Sequence, residues 1–259
     1  MGISADIPVR LVAVSGNPTM TFALADILME NQTNLDASVM EPAPGGFSGQ
    51  PVPRPLIEEI LRLAQRAPSG TNTQPWNVYV LQGAARVRVA GLAAAAVPAL
   101  LADAAAQDRF RAQYRLQPGT GLWPGGELPL ADPDFLSEAV AAHRVNPSLA
   151  RAGLERYFRF FDAPVGLVFT ISQALGVGSV LDYGMFLQNI ALAAQARGLA
   201  SFVQRGWKGL AGTLLPQLNA PPDMLLLCGM ALGYRHAGQA LEAQAGAVLA
   251  VESFTTWHN

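Results

Sequence analysis

Residues 180–197 constrain the fold more than any other segment. Leu181, Met185, Phe186, Leu187, Ile190, Leu192 and Ala194 spread apolar side chains round nearly the whole circumference of a predicted helix. A helix that is apolar all round is buried, in a core or at a subunit interface. Arg197 sits in its last turn and Gly198 follows as a left-handed cap, which fixes where the helix ends. Such an element needs a large core around it. A chain of 259 residues, 51% of them apolar and 14% charged, can supply one and is too apolar to remain disordered.

The flanking sequence supplies both element types. Pro55 opens a predicted helix in which Leu56, Ile60, Leu63, Ala64 and Ala67 recur at three- and four-residue spacing until Pro68 stops it. Residues 77–82, NVYVLQ, read as a strand. The alanine-rich stretch 84–107 predicts a helix that Pro98 must kink or split. Helices are expected over 134–143, 149–161 and 208–218, and strands over 163–171, 200–204 and 223–234. No repeat of twenty to fifty residues is present, so helices and strands intermixed predict a single α+β domain. Residues 1–46 lack periodicity and read as an irregular arm, leaving 47–259 as the domain. The Gly/Pro loop over 118–129, with Trp123, is a lid or a plain surface excursion.

Several functions are excluded. Lys plus Arg number 17 against 19 Asp plus Glu, a net charge of −2 with no basic run, so nucleic acid is not an expected partner. The single cysteine, Cys228, allows no disulfide within the chain and fits a reducing compartment. His143, His236 and His258 lack metal-ligand spacing. The apolar run 89–102, about fourteen residues interrupted by Pro98 and closed by Asp103, is too short for a bilayer. Asp6 and Arg10 stand where a secretory signal would be apolar, so the expectation is a cytoplasmic protein with no membrane contact. Gly176 and Gly178 lack the third glycine of a dinucleotide loop, and no phosphate loop or Gly-x-Ser-x-Gly elbow is present. Glu58 and Glu59 read as a solvated helix flank.

One segment stands apart: RAPSGTNTQPW, residues 66–76, between a helix and a strand. Ser69, Asn72 and Gln74 offer short polar groups there, on a backbone that Pro68 and Gly70 hold in a tight, non-helical path. Such a loop can grip a polar planar ligand, or it is an ordinary turn beside a packed Trp76. The string APSGTNTQPW resembles the signature of the nitroreductase family of flavoproteins. FFDAPVGLVFTI, GSVLDYGMFLQNIALAAQARGLASFVQ and LLLCGMALGY resemble the same family in order and spacing, over residues 47–236.

The resemblance implies an α+β nitroreductase-like sandwich, a mixed sheet surrounded by helices, in an intertwined homodimer with FMN at two interface sites. It implies hydride transfer from NAD(P)H through the flavin to a nitroaromatic, quinone, enone or biosynthetic intermediate. Carried over by position, Pro68, Ser69, Gly70, Asn72 and Gln74 line the ribityl chain and isoalloxazine edge, while Gln204, Arg205 and Gly206 approach the reactive edge. A flavin does its own hydride chemistry, which accounts for the lack of an evident acid, base or nucleophile. The chain departs from the family at the phosphate end. Where the family carries Arg-Arg-Ser-x-Arg, this sequence has Glu41, Pro42, Ala43, Pro44 and Gly45, and residues 241–253 contain no Arg or Lys. Arg235, His236, Arg205 and Lys208 are the candidate substitutes. The expectation is FMN bound more weakly than is usual for the family, or not at all, with riboflavin bound nearly as well. The alternative is a flavin-free member whose old pocket serves binding, scaffolding or non-redox chemistry. The tail over 246–258, ending with Phe254 and Trp257, is expected to wrap the partner subunit.

Overall fold

The computed structural model describes residues 46–114, 135–236 and 250–258. The predicted arm up to residue 45, the loop over 118–129 and the first part of the tail lie outside them.

Four strands form one sheet in the order β1-β2-β4-β3, with β1 Asn77–Gln82, β2 Val165–Ser172, β3 Leu199–Gln204 and β4 Met224–Tyr234. Each strand lies within two residues of its predicted place, because each is a short β-branched or apolar run closed by turn residues. The sandwich of sheet and helices is the expected one. The mixed sheet is not seen among the described residues, where every neighbouring pair is antiparallel. β2 and β3 do run parallel, joined by the crossover helix α7 (Val177–Gln195), but β4 slots between them in the opposite sense and separates the parallel pair.

The helices follow local rules. In α1 (Arg54–Ala64) Pro55 occupies the first turn, where its missing N–H costs nothing, and Ile57, Ile60 and Ala64 are buried. The helix stops short of Pro68 because the amides of Gln65, Arg66 and Ala67 turn back onto the carbonyls of Leu61, Leu63 and Ala64. The alanine-rich stretch is three helices: α2 (Gly83–Ala95), α3 (Val97–Ala102) and α4 (Ala104–Tyr114). Of the two outcomes expected at Pro98, the structure shows the split: Pro98 falls in the first turn of α3. Asp103 Oδ1 then accepts the Ala105 N–H at 2.9 Å and starts α4. Residues Gly83–Ala102 are long and apolar enough to cross a membrane by length and composition, yet the break at Ala96 divides them, and Val89, Ala93, Val97 and Leu100 enter the core.

After α5 (Phe135–Val145), Asn146 caps α6 (Pro147–Tyr157) by accepting the Leu149 N–H at 3.2 Å. The predicted helix over 149–161 ends four residues early, since Phe160, Phe161 and Asp162 adopt left-handed φ of 58°, 51° and 64°. The helix predicted over 208–218 begins as the tight turn Arg205–Leu210 and becomes α-helical only as α8, Ala211–Gln217. Gly198 takes φ 73° after α7, as its place past the helix end requires.

Two cores sandwich the sheet. On one face Leu81, Val168, Ala200 and Ala231 pack against α2, α3 and Trp207; on the other Leu167, Phe169, Met230 and Leu232 pack against α1 and α7. Alternation along β4 breaks at Leu227, where Phe169 faces Cys228 but Thr170 faces Leu226. This bulge puts Leu226 and Cys228, two residues apart, on opposite faces. Gly229 is required by packing, since an added Cβ would lie 2.6 Å from Trp207 Cδ1.

Candidate functional site

The loop before β1 is tied to itself and to α7. Gly70 N–H donates to Asp182 Oδ2 at 3.0 Å, and Gln74 N–H donates to Ser69 Oγ at 3.0 Å. The Thr71 and Thr73 hydroxyls both donate to the Gly70 carbonyl. Thr71, Asn72 and Gln74 hold left-handed φ of 53°, 59° and 49°, a costly conformation that the surrounding hydrogen bonds sustain. The consequence is a rigid loop whose Asn72 and Gln74 carboxamides are exposed and have no hydrogen-bond partner among the described residues. Pro68 and Gly70 are exposed and Ser69 half-buried on the same turn.

Below the loop, Trp76 stacks on Phe186 of α7 with centroids 4.7 Å apart and planes 6° from parallel. These two rings, with Leu61, Arg62, Gln65, Glu58 and Val78, line an open groove of ≈ 320 Å³. Tyr183 fastens the entry to β1: its hydroxyl accepts from Asn77 N at 3.1 Å and points its one proton at the Asn77 and Thr170 carbonyls, 3.0 and 3.1 Å away. Burial pushes that hydroxyl far above its ordinary pKa, so it stays neutral.

Gln204, Arg205 and Gly206 form the turn that ends β3. Gln204 is fully buried; its Nε2 donates to the Tyr157 carbonyl, and its Oε1 has no partner among the described residues. Gly206 N–H donates to the Tyr157 hydroxyl at 2.8 Å, and Arg205 between them is exposed. Trp207 follows, buried against Phe160 at 4.2 Å.

The structure therefore places the two expected groups at the same end of the sheet but on opposite edges. Asn77 of β1 faces Thr170, and Gln204 of β3 faces Gly229, with β2 and β4 between. Three strand spacings, about 14 Å, separate the edges. Within each group the residues converge; across the groups one subunit does not bring them together. The proposed substitutes divide likewise. Arg205 and Lys208 lie in the turn Arg205–Leu210, whereas Arg235 and His236 follow β4 at the other end of the sheet. Arg235 is half-buried, loss of solvent lowers its pKa, and it has no partner among the described residues. Residues 41–45 and 241–249 lie outside the described residues; the described part of 241–253 carries no cation.

Sequence reasoning missed three contributors. Asp182 and Tyr157 act on residues 112, 47 and 49 positions away, and no local pattern marks such pairs. The Arg156 guanidinium lies directly against Gly46, beside the point where the expected arginines are absent, and shares Asp162 with Arg159.

The exposed Asn72 and Gln74 carboxamides, without a partner among the described residues, carry the kinds of donor and acceptor that a heterocycle with polar edges engages, whereas Gln204 Oε1 is buried within the subunit.

The family model described as Nitroreductase family matches residues 46–234. The chain is 38% identical over 222 residues to a chloronitrobenzene nitroreductase of Comamonas testosteroni, covering 82% of this chain and 91% of the relative. It is 38% identical over 212 residues to a nitrobenzene nitroreductase of Ectopseudomonas oleovorans, again covering 82% and 91%. Among solved structures it is similar to a mutant of the FMN and NADPH-dependent nitroreductase NfnB from sphigopyxis sp. strain HMH, with a TM-score of 0.65, 26% identity, and 89% and 98% of the two chains covered.

Proposed function

The chain belongs to the nitroreductase family, and from that premise we propose that it is a flavin-dependent oxidoreductase that reduces small nitroaromatic compounds, with FMN as cofactor, NAD(P)H as electron donor and a homodimer as the working unit. When bound, FMN supplies two-electron transfer to a small planar acceptor, so the chain needs no acid, base or nucleophile of its own. Asn72 and Gln74 hydrogen-bond the ribityl chain and ring edge, and the Pro68–Gly70 backbone holds them there. Gln204, Arg205 and Gly206 meet the reactive edge.

One observation carries this reading: the two groups lie at the same end of the sheet on opposite edges. Each edge is then half of a site, and a second copy supplies the other half. The exposed apolar surface supports it, since Leu181 on α7 is 71% exposed and Phe254 and Trp257 in the tail are 67% and 81% exposed. Such groups need a cover, and a domain spanning 47–259 whose tail wraps its partner provides one. A single buried cysteine, Cys228, agrees with a cytoplasmic setting.

The test begins with colour. Protein that is yellow as purified, or becomes so on adding FMN or riboflavin, and then consumes NADH or NADPH in step with nitrobenzene, supports the reading. Protein that takes up neither flavin overturns it. Light scattering at the 27.3 kDa of one chain, at micromolar concentration, overturns the dimer.

A further inference from the structure

Tyr157 is the last residue of α6, and its hydroxyl and its carbonyl each accept a hydrogen bond from the β3 turn. Its hydroxyl accepts the Gly206 N–H at 2.8 Å, and its carbonyl, one of those a helix end leaves unpaired, accepts from Gln204 Nε2. The two bonds are reciprocal: a side chain of the turn caps the helix, and a side chain of the helix caps the turn. The ring is itself fixed, edge-on to Phe158 at 5.3 Å and to Phe161 at 5.6 Å, with Phe161 in turn edge-on to Phe202 of β3 at 5.1 Å. Arg205 is thus carried on a turn clamped on both flanks. We propose that Tyr157 is a positioning residue: it sets the direction of the Gly206 N–H and the Gln204 carboxamide, and through them how the turn meets the flavin's reactive edge. This rests on the flavin reading above.

Tyr157→Phe tests it, since that change removes the hydroxyl bond and keeps both the ring and the carbonyl bond. Phe161→Leu, which loosens the same aromatic cluster without touching a polar group, is the control. In the flavin-free protein, Tyr157→Phe is expected to speed hydrogen exchange at the Gly206 amide. In the loaded protein it is expected to shift the reduction potential and visible band of the bound flavin and to lower kcat for nitrobenzene about tenfold with KM little changed. Phe161→Leu is expected to leave potential and band in place. Tyr157→Phe with an unchanged band, potential and kcat overturns the proposal, as does an equal shift in Phe161→Leu, which would make the role one of packing. Wild-type protein that takes up no flavin overturns the flavin reading and this proposal with it, a result read before any variant is compared.

Discussion

At the scale of single residues, the site is held by hydroxyls and carboxylates that reach across the fold. Tyr183 serves three backbone groups at the start of β1 from inside the core. Tyr183→Phe leaves the Asn77 N–H and the Thr170 carbonyl short of a partner, an expected loss of about 1–3 kcal/mol read as a lower urea midpoint with unchanged slope. The pair of Glu59 and Arg197 gives a pH dependence of known sign. A hydrogen bond from Arg197 and its charge lower the Glu59 pKa below its ordinary 4.5, against a smaller opposing effect of burial. A lowered carboxyl pKa stabilises the fold above the unfolded value and loses that contribution as pH falls through the folded value. Glu59 is about half exposed, so the pair contributes only about 0–1 kcal/mol. Denaturation of wild type and Glu59→Gln should therefore show a small gap near neutral pH that closes below 4.5; a gap that widens in acid would refute the assignment. The loop that carries Ser69, Gly70, Asn72 and Gln74 was legible in the sequence because it is local: a proline, a glycine and short polar side chains within a few residues. Tyr157 and Asp182 were not legible, because their partners come from other elements and hydrogen bonding across the fold leaves no spacing to read.

Among the elements, α7 is the one whose sequence carried most structure. Its end at Gly198 follows from a cap, but its apolar positions are not buried all round: Phe186, Ile190 and Ala194 are buried, and Met185, Leu187 and Leu192 only half-buried. Leu181 is exposed, covered by no part of the described chain, and sits one residue before the Asp182 that anchors the loop. The proposed dimer would place it under the partner. Leu181→Glu is then expected to shift the assembly towards the 27.3 kDa chain in light scattering while leaving the melting of the monomer fold intact. An unchanged dimer would show that α7 faces solvent there. The strands were legible because alternation and flanking turns mark both their ends. Helix ends were less so, and for a physical reason at each place. Alanine favours helix everywhere along 84–107; Pro98 announces the split beside Ala96, but nothing in that composition announces the second break at Asp103, which the Asp103 cap marks. The left-handed Phe160–Asp162 turn has no glycine to announce it; it is sustained by Phe160 stacking on Trp207 and by Arg156 and Arg159 drawing in Asp162.

For the whole molecule, a chain without arginine or lysine at 41–45 and 241–253 must hold the phosphate of the proposed FMN by other means. One charged hydrogen bond is worth about 1.5–3 kcal/mol, and each 1.4 kcal/mol is a factor of about ten in affinity, so the loss of a whole clamp weakens FMN by several orders of magnitude unless other cations replace it. Two cations stand where the described chain begins. Arg156 lies against Gly46, already drawn on by Asp162, and Arg235 pairs through its backbone with Phe47. Arg235 is the stronger candidate because it is half-buried, short of solvent and without a partner among the described residues, a position that an anion would stabilise. A single arginine in place of a clamp predicts a small preference for the phosphate. Riboflavin is therefore expected to bind within about a hundredfold of FMN, since one such contact supplies about 1.5–3 kcal/mol. Arg235→Ala should remove that preference by weakening FMN alone and leaving riboflavin in place, because the ring-side contacts proposed for Asn72 and Gln74 are common to both. Titration of the two flavins into flavin-free wild type and Arg235→Ala decides the matter. Submicromolar FMN with a large preference over riboflavin, unaltered in Arg235→Ala, would mean that the phosphate is held elsewhere and that the clamp was replaced rather than lost.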